Sequence, residues 1–294
     1  MDLNLYPYDV SAHLEVCGED AAEFLQSQFS NDLRPFSKGQ CTYGLWLDVK
    51  GKLLADSWVL CEGEGQFRIF SEFCRGELIQ DTLEKHIIAD DVELELNRST
   101  AALALIGENV NQVEVGASVL AAFPGRRGDL ASRELVFSDE ASRSAWIDAN
   151  GGEVVSENWI QSERMAAGVS IVGCEVMPGD MPAEGGLVED AVSFTKGCFL
   201  GQEVVARLHN LGKPQRGLYL LRGPNGPASM PCPLMNEQGK TLGEMRSWLA
   251  TGQELEGMGV AMLKSRHLTK GMKLSADSMN FKVEKPYSKT FKIE

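Results

Sequence analysis

The residues most capable of chemistry lie together in one ten-residue stretch, FTKGCFLGQE, at positions 194–203. Cys198 stands two residues after Lys196 and just before GQEVVARLHN (201–210), which we interpret as a short helix. A lysine and the positive end of a helix both favour the thiolate form of a nearby cysteine. The thiolate is the form that acts as a nucleophile or binds a metal. This pattern therefore indicates a reactive or ligand-binding thiol.

A second interpretation makes Cys198 a small buried residue in a turn bounded by Gly197 and Gly201. Free cysteines are among the most buried residue types, and glycines permit unusual backbone conformations or the close approach of another group. A nucleophile would also need a base, and His209 lies eleven residues further along the chain. A lone histidine on a surface helix is more often structural. Composition by itself favours the buried residue, and both interpretations stay open at this point.

The chain contains seven cysteines and four histidines. No two cysteines form a CxxC pair and their number is odd, which indicates reduced thiols and not disulfides. The same scatter argues against a zinc or iron–sulfur ligand set supplied by this chain alone. We therefore predict no metal site of the chain's own.

Charge is distributed unevenly along the sequence. The formal net charge is −14, but residues 1–195 carry −21 and residues 196–294 carry +7. The basic part begins at the cysteine motif, where it forms either a solvated surface or a local site for an anionic ligand. Its basic residues are scattered, without an aromatic RNA-binding signature, so direct binding of nucleic acid is not expected.

Helix and strand patterns alternate along the chain in a way typical of the α+β class. Apolar residues at helical spacing predict three helices besides the one at 201–210, namely 21–29, 71–88 and 158–169. Runs typical of strands occupy 41–48, 53–61, 66–71, 91–99 and 101–108. Gly51 marks a hairpin turn between the first two of these strands.

The pattern changes after residue 210, where short strand candidates are separated by Gly and Pro at close spacing and 223–233 is predicted to be a loop. We predict a first α+β domain at 1–100, a second α+β domain with the cysteine motif at 101–212, and a small β-barrel at 213–294. No apolar run is long enough to span a membrane, and the N-terminal residues lack the pattern of a secretory signal. A cytoplasmic protein is the simplest interpretation.

The stretch KGCFLGQEVVAR (196–207) resembles the signature of the YgfZ family, Lys-Gly-Cys-(Tyr/Phe)-x-Gly-Gln-Glu. That family is a branch of the folate-binding superfamily that includes the glycine-cleavage T-protein (GcvT), an aminomethyltransferase. Three further stretches, 14–56, 163–176 and 181–199, resemble the family's first-domain opening and its approach to the signature. The resemblance covers nearly all of the chain, and its most specific part is the signature.

The resemblance implies two α+β domains around a central folate-sized cavity, followed by a small β-barrel. It also implies that the protein binds tetrahydrofolate or a folate derivative and assists the assembly or repair of iron–sulfur clusters in client enzymes, including tRNA-modifying ones. In the family the signature cysteine is the functional residue, which corresponds to Cys198. Whether this thiol ligates iron, carries sulfur or is oxidised reversibly stays open. The surrounding motif, which we expect to contribute to ligand binding, maps to Lys196, Gly197, Gly201, Gln202 and Glu203.

The T-protein side of the resemblance implies a second activity, tetrahydrofolate-dependent aminomethyl transfer. The T-protein's catalytic aspartate corresponds to Asp32 in SNDLRPF. Its pterin-binding glutamate falls in a Glu-Ala-Gly stretch that reads Ala166-Ala167-Gly168 in this chain, so that carboxylate is missing. Glu163, one helical turn earlier, and Glu184, in PAEGGL, are the candidates to replace it.

Overall fold

The computed structural model describes residues 3–97, 100–212, 214–250 and 257–287. In this part of the chain, two five-stranded sheets and a closed six-stranded barrel account for the strands. Helices pack against the two sheets, which confirms the predicted α+β class with a β-barrel at its C-terminal end. No helix in the described part is long and apolar enough to cross a membrane.

The first sheet has the strand order β3-β4-β5-β2-β6, in which every pair is antiparallel. Buried and half-buried residues alternate along most of β4, as expected for a strand with one face on the core. The β3–β4 hairpin turns at Gly51, whose φ of 68° favours glycine. The strands and helices of this unit are β2 (Ala12–Cys17), α1 (Ala21–Gln28), β3 (Cys41–Leu47), β4 (Leu53–Gly63), β5 (Gln66–Ser71), α2 (Gly76–Glu84) and β6 (Glu93–Leu96).

The second sheet has the order β10-β1-β7-β9-β8. Its strand β1 comes from the start of the chain and pairs along its whole length with β7, which is buried throughout because both faces are covered. The elements of this unit are β1 (Asn4–Asp9), β7 (Ala101–Ile106), β8 (Val119–Pro124), β9 (Ser132–Phe137), α3 (Glu140–Asn150), β10 (Glu153–Val154) and α4 (Glu157–Ala167). Two more helices follow, α5 (Val188–Ala191) and α6 (Gln202–Leu211).

The barrel closes in the order β11-β14-β13-β12-β15-β16 and has a core of its own around Phe281 and Leu221. Closure leaves no unpaired sheet edge. Tyr287 ties the barrel to the end of α4, because its hydroxyl donates to the Val169 carbonyl over 2.9 Å. The barrel strands are β11 (Arg216–Gly223), β12 (Cys232–Met235), β13 (Thr241–Ala250), β14 (Gly257–Lys264), β15 (Lys273–Ala276) and β16 (Met279–Pro286).

Three predicted segments differ from the structure. The helix predicted over 71–88 is limited to Gly76–Glu84, because β5 continues to Ser71 and pairs there with β2. The strand predicted over 91–99 is limited to Glu93–Leu96. The loop predicted over 223–233 is shorter at both ends, because Gly223 is the last residue of β11 and Cys232 is the first of β12, where it pairs with β13. By contrast, the helix predicted to end at Gly168 does so, with that glycine in the left-handed conformation.

Candidate functional site

The cysteine motif is anchored to helix α1 by a buried lysine. The side chain of Lys196 is buried, and its Nζ donates hydrogen bonds to the carbonyl oxygens of Gln26, over 2.6 Å, and Phe29. These carbonyls lie at the C-terminal end of α1, where helix carbonyls lack partners and a positive charge is favourable. Burial lowers the pKa of Lys196 to about 8, while the nearby Asp32 acts in the opposite direction. Lys196 therefore joins the motif to α1.

Asp32 belongs to the same anchor. Its Oδ1 accepts hydrogen bonds from Gln26 Nε2 at 2.8 Å and from Arg34 Nε at 3.0 Å. The hydrogen bond from Arg34 is the main reason that the pKa of Asp32 falls to about 2. Arg34 in turn donates from Nη2 to the carbonyl oxygen of Lys196 over 2.6 Å. The structure thus brings together Asp32 and Lys196, two of the predicted site residues, and we call Gln26, Asp32, Arg34 and Lys196 the lysine anchor.

The glycines of the motif differ in what surrounds them. Gly201 has a φ of 78° and packs against the β3–β4 hairpin, where a Cβ on it would come within 2.5 Å of the Asp48 carbonyl oxygen and 2.8 Å of Gly51 Cα. Gly197 has a φ of 100° and open space around it. Only Gly201 is therefore needed both for its backbone conformation and for close approach.

Cys198 itself is exposed, so the interpretation that it is a buried residue in a turn is wrong. It precedes α6, in whose first turn Gln202 is half-buried and Glu203 is exposed. His209 stacks on Phe194, with ring centroids 4.5 Å apart. This contact gives the histidine a packing role within the motif.

A separate central cavity lies between the two sheets and α4. One wall is aromatic: the Trp58 ring lies 5.3 Å from that of Phe123, which stacks on Phe70 at 5.7 Å. Flat apolar walls of this kind suit a flat heteroaromatic ring. The aromatic residues lining the cavity are Tyr6, Tyr8, Tyr43, Trp58, Phe70, Phe73 and Phe123.

Charged side chains meet at one side of this cavity around Arg127. The guanidinium donates from Nε and Nη2 to the two oxygens of Glu134, both over 2.9 Å, and pairs with Glu72 Oε2 at 2.6 Å. It also lies over the Tyr8 ring, 4.4 Å from the centroid. Burial raises the pKa of Glu72 to about 7, because the ionised form is poorly solvated there. We call Glu72, Arg127 and Glu134 the cavity cluster.

Asp56 is a third carboxylate in the cavity. It accepts hydrogen bonds from the Tyr43 hydroxyl at 2.6 Å and from Cys74 Sγ at 3.2 Å, and burial raises its pKa. Arg126 stacks over Tyr43 and pairs with Asp190 at 3.0 Å. Sequence reasoning missed Asp56, although an acidic residue in the middle of the apolar run LLADSWVLC was a usable signal.

The remaining predicted residues lie elsewhere. Glu184 accepts from Arg216 Nε at 2.7 Å and from Nη2 at 3.0 Å, so its carboxylate is committed to a link with the barrel. Glu163 is half-buried on α4, next to Arg164, which does line the cavity. Within the described part of the chain, the residues that line the cavity do not include Glu163 or Glu184. They also do not include Cys198, Lys196 or Asp32.

Comparison with known proteins places this architecture in a recognised class. Residues 5–118 match the model of the GCVT N-terminal domain. The fold is similar to the crystal structure of glycine cleavage system aminomethyltransferase T from Bartonella henselae, with a TM-score of 0.75 and 17% identity over 99% of this chain and 88% of that one. The chain therefore has the GcvT fold.

The sequence relatives point to one branch of that class. The chain is 24% identical over 268 residues to the tRNA-modifying protein YgfZ of Colwellia psychrerythraea, covering 82% of this chain and 77% of the relative. It is 28% identical over 243 residues to the protein of the same name from Shigella boydii, covering 76% and 73% respectively. The resemblance to the YgfZ family within the GcvT superfamily is confirmed.

Proposed function

We propose that this chain is a folate-binding protein of the cytoplasm that assists the assembly or repair of iron–sulfur clusters in client enzymes, including tRNA-modifying ones. Cys198 is its functional thiol. The observation that carries the proposal is the exposure of Cys198 on a loop that the lysine anchor holds in place. An exposed thiol on a fixed backbone can reach a partner protein, which a buried thiol cannot.

The thiol acts together with groups from the client. One cysteine cannot hold a cluster, and no group of three or more His, Cys, Asp or Glu in the described residues is arranged to hold a metal ion. Iron or a cluster would therefore pass as cargo between Cys198 and ligands of the client enzyme. The lysine anchor keeps the thiol presented during that contact.

The central cavity is the site we propose for tetrahydrofolate. Its residues fit the ligand: aromatic rings such as Trp58 and Phe123 suit the pterin, carboxylates suit its N–H groups, and Arg126 suits an anionic tail. When bound, tetrahydrofolate supplies one-carbon chemistry at its reduced ring. The chain's own residues would orient the ring and exclude water from it.

The test of the thiol's role is complementation in a cell that lacks the native protein. We expect Cys198→Ser to restore little activity of the iron–sulfur client enzymes. Cys17→Ser is the matched control, because Cys17 is also exposed but lies on β2, outside the motif. If Cys198→Ser fully restores the activity of the client enzymes, this thiol has no functional role.

Aminomethyl transfer with Asp32 as the catalytic residue is the alternative, and the site favours it less. Both Gln26 and Arg34 donate to Asp32 Oδ1, and the pKa of about 2 makes this carboxylate a weak base at neutral pH. In the proposed function, Asp32 has a structural role: it holds Arg34, which donates to the Lys196 carbonyl oxygen. Release of methylene-tetrahydrofolate from an aminomethyl-loaded lipoyl carrier, abolished by Asp32→Asn, would support the alternative instead.

A further inference from the structure

We infer that the surface beside the cysteine loop is a docking site for the client protein, and that it fits an apolar side chain flanked by carboxylates. The inference rests on the proposed function, because it names the kind of partner surface that the exposed Cys198 would meet. The surface combines the tip of the β3–β4 turn with the exposed side of α6. We call it the turn patch, and it consists of Val49, Lys50, Lys52, Val204 and Arg207.

Val49 has an exposed position that folding does not explain. Tight turns usually carry Gly, Pro, Asn, Asp or Ser, yet the turn at 48–51 carries this branched apolar side chain, which is 69% exposed. The Gly51 N–H closes the turn by donating to the Asp48 carbonyl oxygen over 2.9 Å. Since the core does not use the Val49 side chain, it is available to a partner.

The turn lies directly against the start of α6. A Cβ on Gly51 would come within 3.2 Å of Val204 Cβ and 3.0 Å of the Gly201 carbonyl oxygen. Val204 is 40% exposed, so a second apolar side chain reaches solvent next to the turn. Cys198 is three residues before Gly201 and is exposed as well. Two exposed valines therefore lie beside the loop that carries the thiol, where single exposed apolar residues scattered over a surface would carry no meaning.

The backbone under the turn patch is fixed before any partner binds. Asp48 Oδ1 accepts hydrogen bonds from the backbone N–H groups of Lys50 and Lys52, both over 2.8 Å. On the other side of the turn, Lys52 Nζ donates to the Gly179 carbonyl oxygen at 3.0 Å. A surface that is already ordered loses little conformational entropy on binding, which favours its use as a docking site.

The charges around the two valines favour an acidic protein as the partner. Residues 1–195 carry a net charge of −21, so most of that surface repels carboxylates. In the turn and the motif, as far as the structure describes them, basic side chains outnumber acidic ones among the exposed residues. A protein face with carboxylates would therefore be guided to this region and away from the rest of the chain. A nucleic acid would bind chiefly through its phosphates, for which exposed valines offer nothing. The exposed charged residues are Lys50, Lys52, Arg207 and Glu203.

The first experiment is complementation in cells that lack the native protein, with the activity of the iron–sulfur client enzymes as the readout. We expect the double variant Val49→Asp/Val204→Asp to restore about tenfold less activity than the wild type, because the new carboxylates repel an acidic partner face. Both positions are exposed, and an acidic residue is favourable in the first turn of α6, so the variant should fold.

The matched control is Ile88→Asp. Ile88 is 91% exposed and follows α2, outside the turn patch, so this variant should restore activity as the wild type does. The midpoint of urea unfolding and the rate at which iodoacetamide alkylates Cys198, followed by mass spectrometry, should be the same in all variants. Those two measurements show that a loss of activity comes from the surface and not from the fold or the thiol.

A second experiment tests the contact directly. A photoreactive amino acid at position 49 should cross-link the protein to an epitope-tagged client enzyme, chosen because its activity is lost in the deficient cells. The same amino acid at position 88 should not. Adding Lys50→Glu should reduce the cross-linked fraction about three- to tenfold. This measurement changes exposed positions only, so it tests the inference even if the double variant does not fold.

The outcomes separate this inference from the proposed function. Full restoration by the double variant when Cys198→Ser restores little, or equal cross-linking from positions 49 and 88, would overturn the docking site and leave the role of the thiol intact. Salt-sensitive binding of tRNA that the double variant abolishes would assign the turn patch to a nucleic acid and also overturn the docking site. Full restoration by Cys198→Ser would overturn both.

Discussion

The lysine anchor and the cavity cluster each bury a cation, but they satisfy it in opposite ways. In the cavity cluster, Arg127 faces two carboxylates, Glu72 and Glu134. In the lysine anchor, the Lys196 ammonium donates to two backbone carbonyls, which carry no formal charge. Carboxylate partners balance the charge of a buried cation, whereas backbone carbonyls leave that charge unbalanced and fix the cysteine loop to the end of a helix.

The pKa values of Arg127 and Lys196 shift in opposite directions because their partners differ in charge. Burial by itself would lower the pKa of Arg127, but the carboxylates of Glu134 and Glu72 outweigh it and raise the pKa. For Lys196 the contribution of Asp32 does not offset burial, and the pKa falls to about 8. In the proposed function, ligand binding belongs to the enclosed cavity and reactivity belongs to the exposed Cys198.

The largest expected effect comes from removing the cation of the cavity cluster. Arg127→Met leaves Glu134 and Glu72 buried without their partner, which should lower the free energy of unfolding by about 3–5 kcal/mol. Urea denaturation followed by circular dichroism measures it. Arg75→Met is the control: its ion pair with Glu77 is exposed, and its loss should cost less than about 0.5 kcal/mol. Equal effects of the two substitutions would show that burial does not distinguish these pairs.

A smaller effect is expected when the lysine anchor loses its cation. Lys196→Met leaves the carbonyls of Gln26 and Phe29 without a donor, which should cost about 2 kcal/mol in the same measurement. The loss is smaller than for Arg127 because no buried carboxylate is left unpaired. Lys50→Met, at an exposed position of the β3–β4 turn, should leave stability unchanged. If Lys196→Met lowers the free energy of unfolding more than Arg127→Met does, the expected order of the two effects is wrong.

The smallest effect separates two glycines within the motif. Gly201→Ala should lower the free energy of unfolding by about 1–2 kcal/mol more than Gly197→Ala, because both have positive φ but only Gly201 meets the backbone of Asp48 and Gly51. Thermal unfolding of the two variants side by side provides the comparison. If they lose the same stability, the contact with the β3–β4 turn contributes nothing.

Local patterns predicted much of the fold. The strands β3, β4, β5 and β7 and the helix α4 follow from apolar spacing and glycine placement, which depend on neighbours in sequence. The arrangement of the cavity could not be predicted in this way. Glu72 and Arg127 are 55 positions apart in the chain, and they meet only because the two sheets pack face to face.

The candidate site was predicted unevenly for the same reason. The motif is contiguous, so its residues could be identified together, and Cys198 and Lys196 do lie on one loop. The lysine that was expected to act on the thiol instead donates to α1, 170 positions earlier in the chain, and spacing along the sequence carries no information about that contact. The resemblance directed attention to Glu163 and Glu184, whereas the carboxylates that line the cavity are Asp56, Glu72 and Glu134.

The lysine anchor also has a consequence for biosynthesis. The last carbonyls of α1 find their ammonium partner on a residue 170 positions later, so they stay without it until Lys196 has left the ribosome. The end of this helix therefore reaches its final form only after more than two thirds of the chain has been translated. The first sheet and the cysteine loop must complete their folding together.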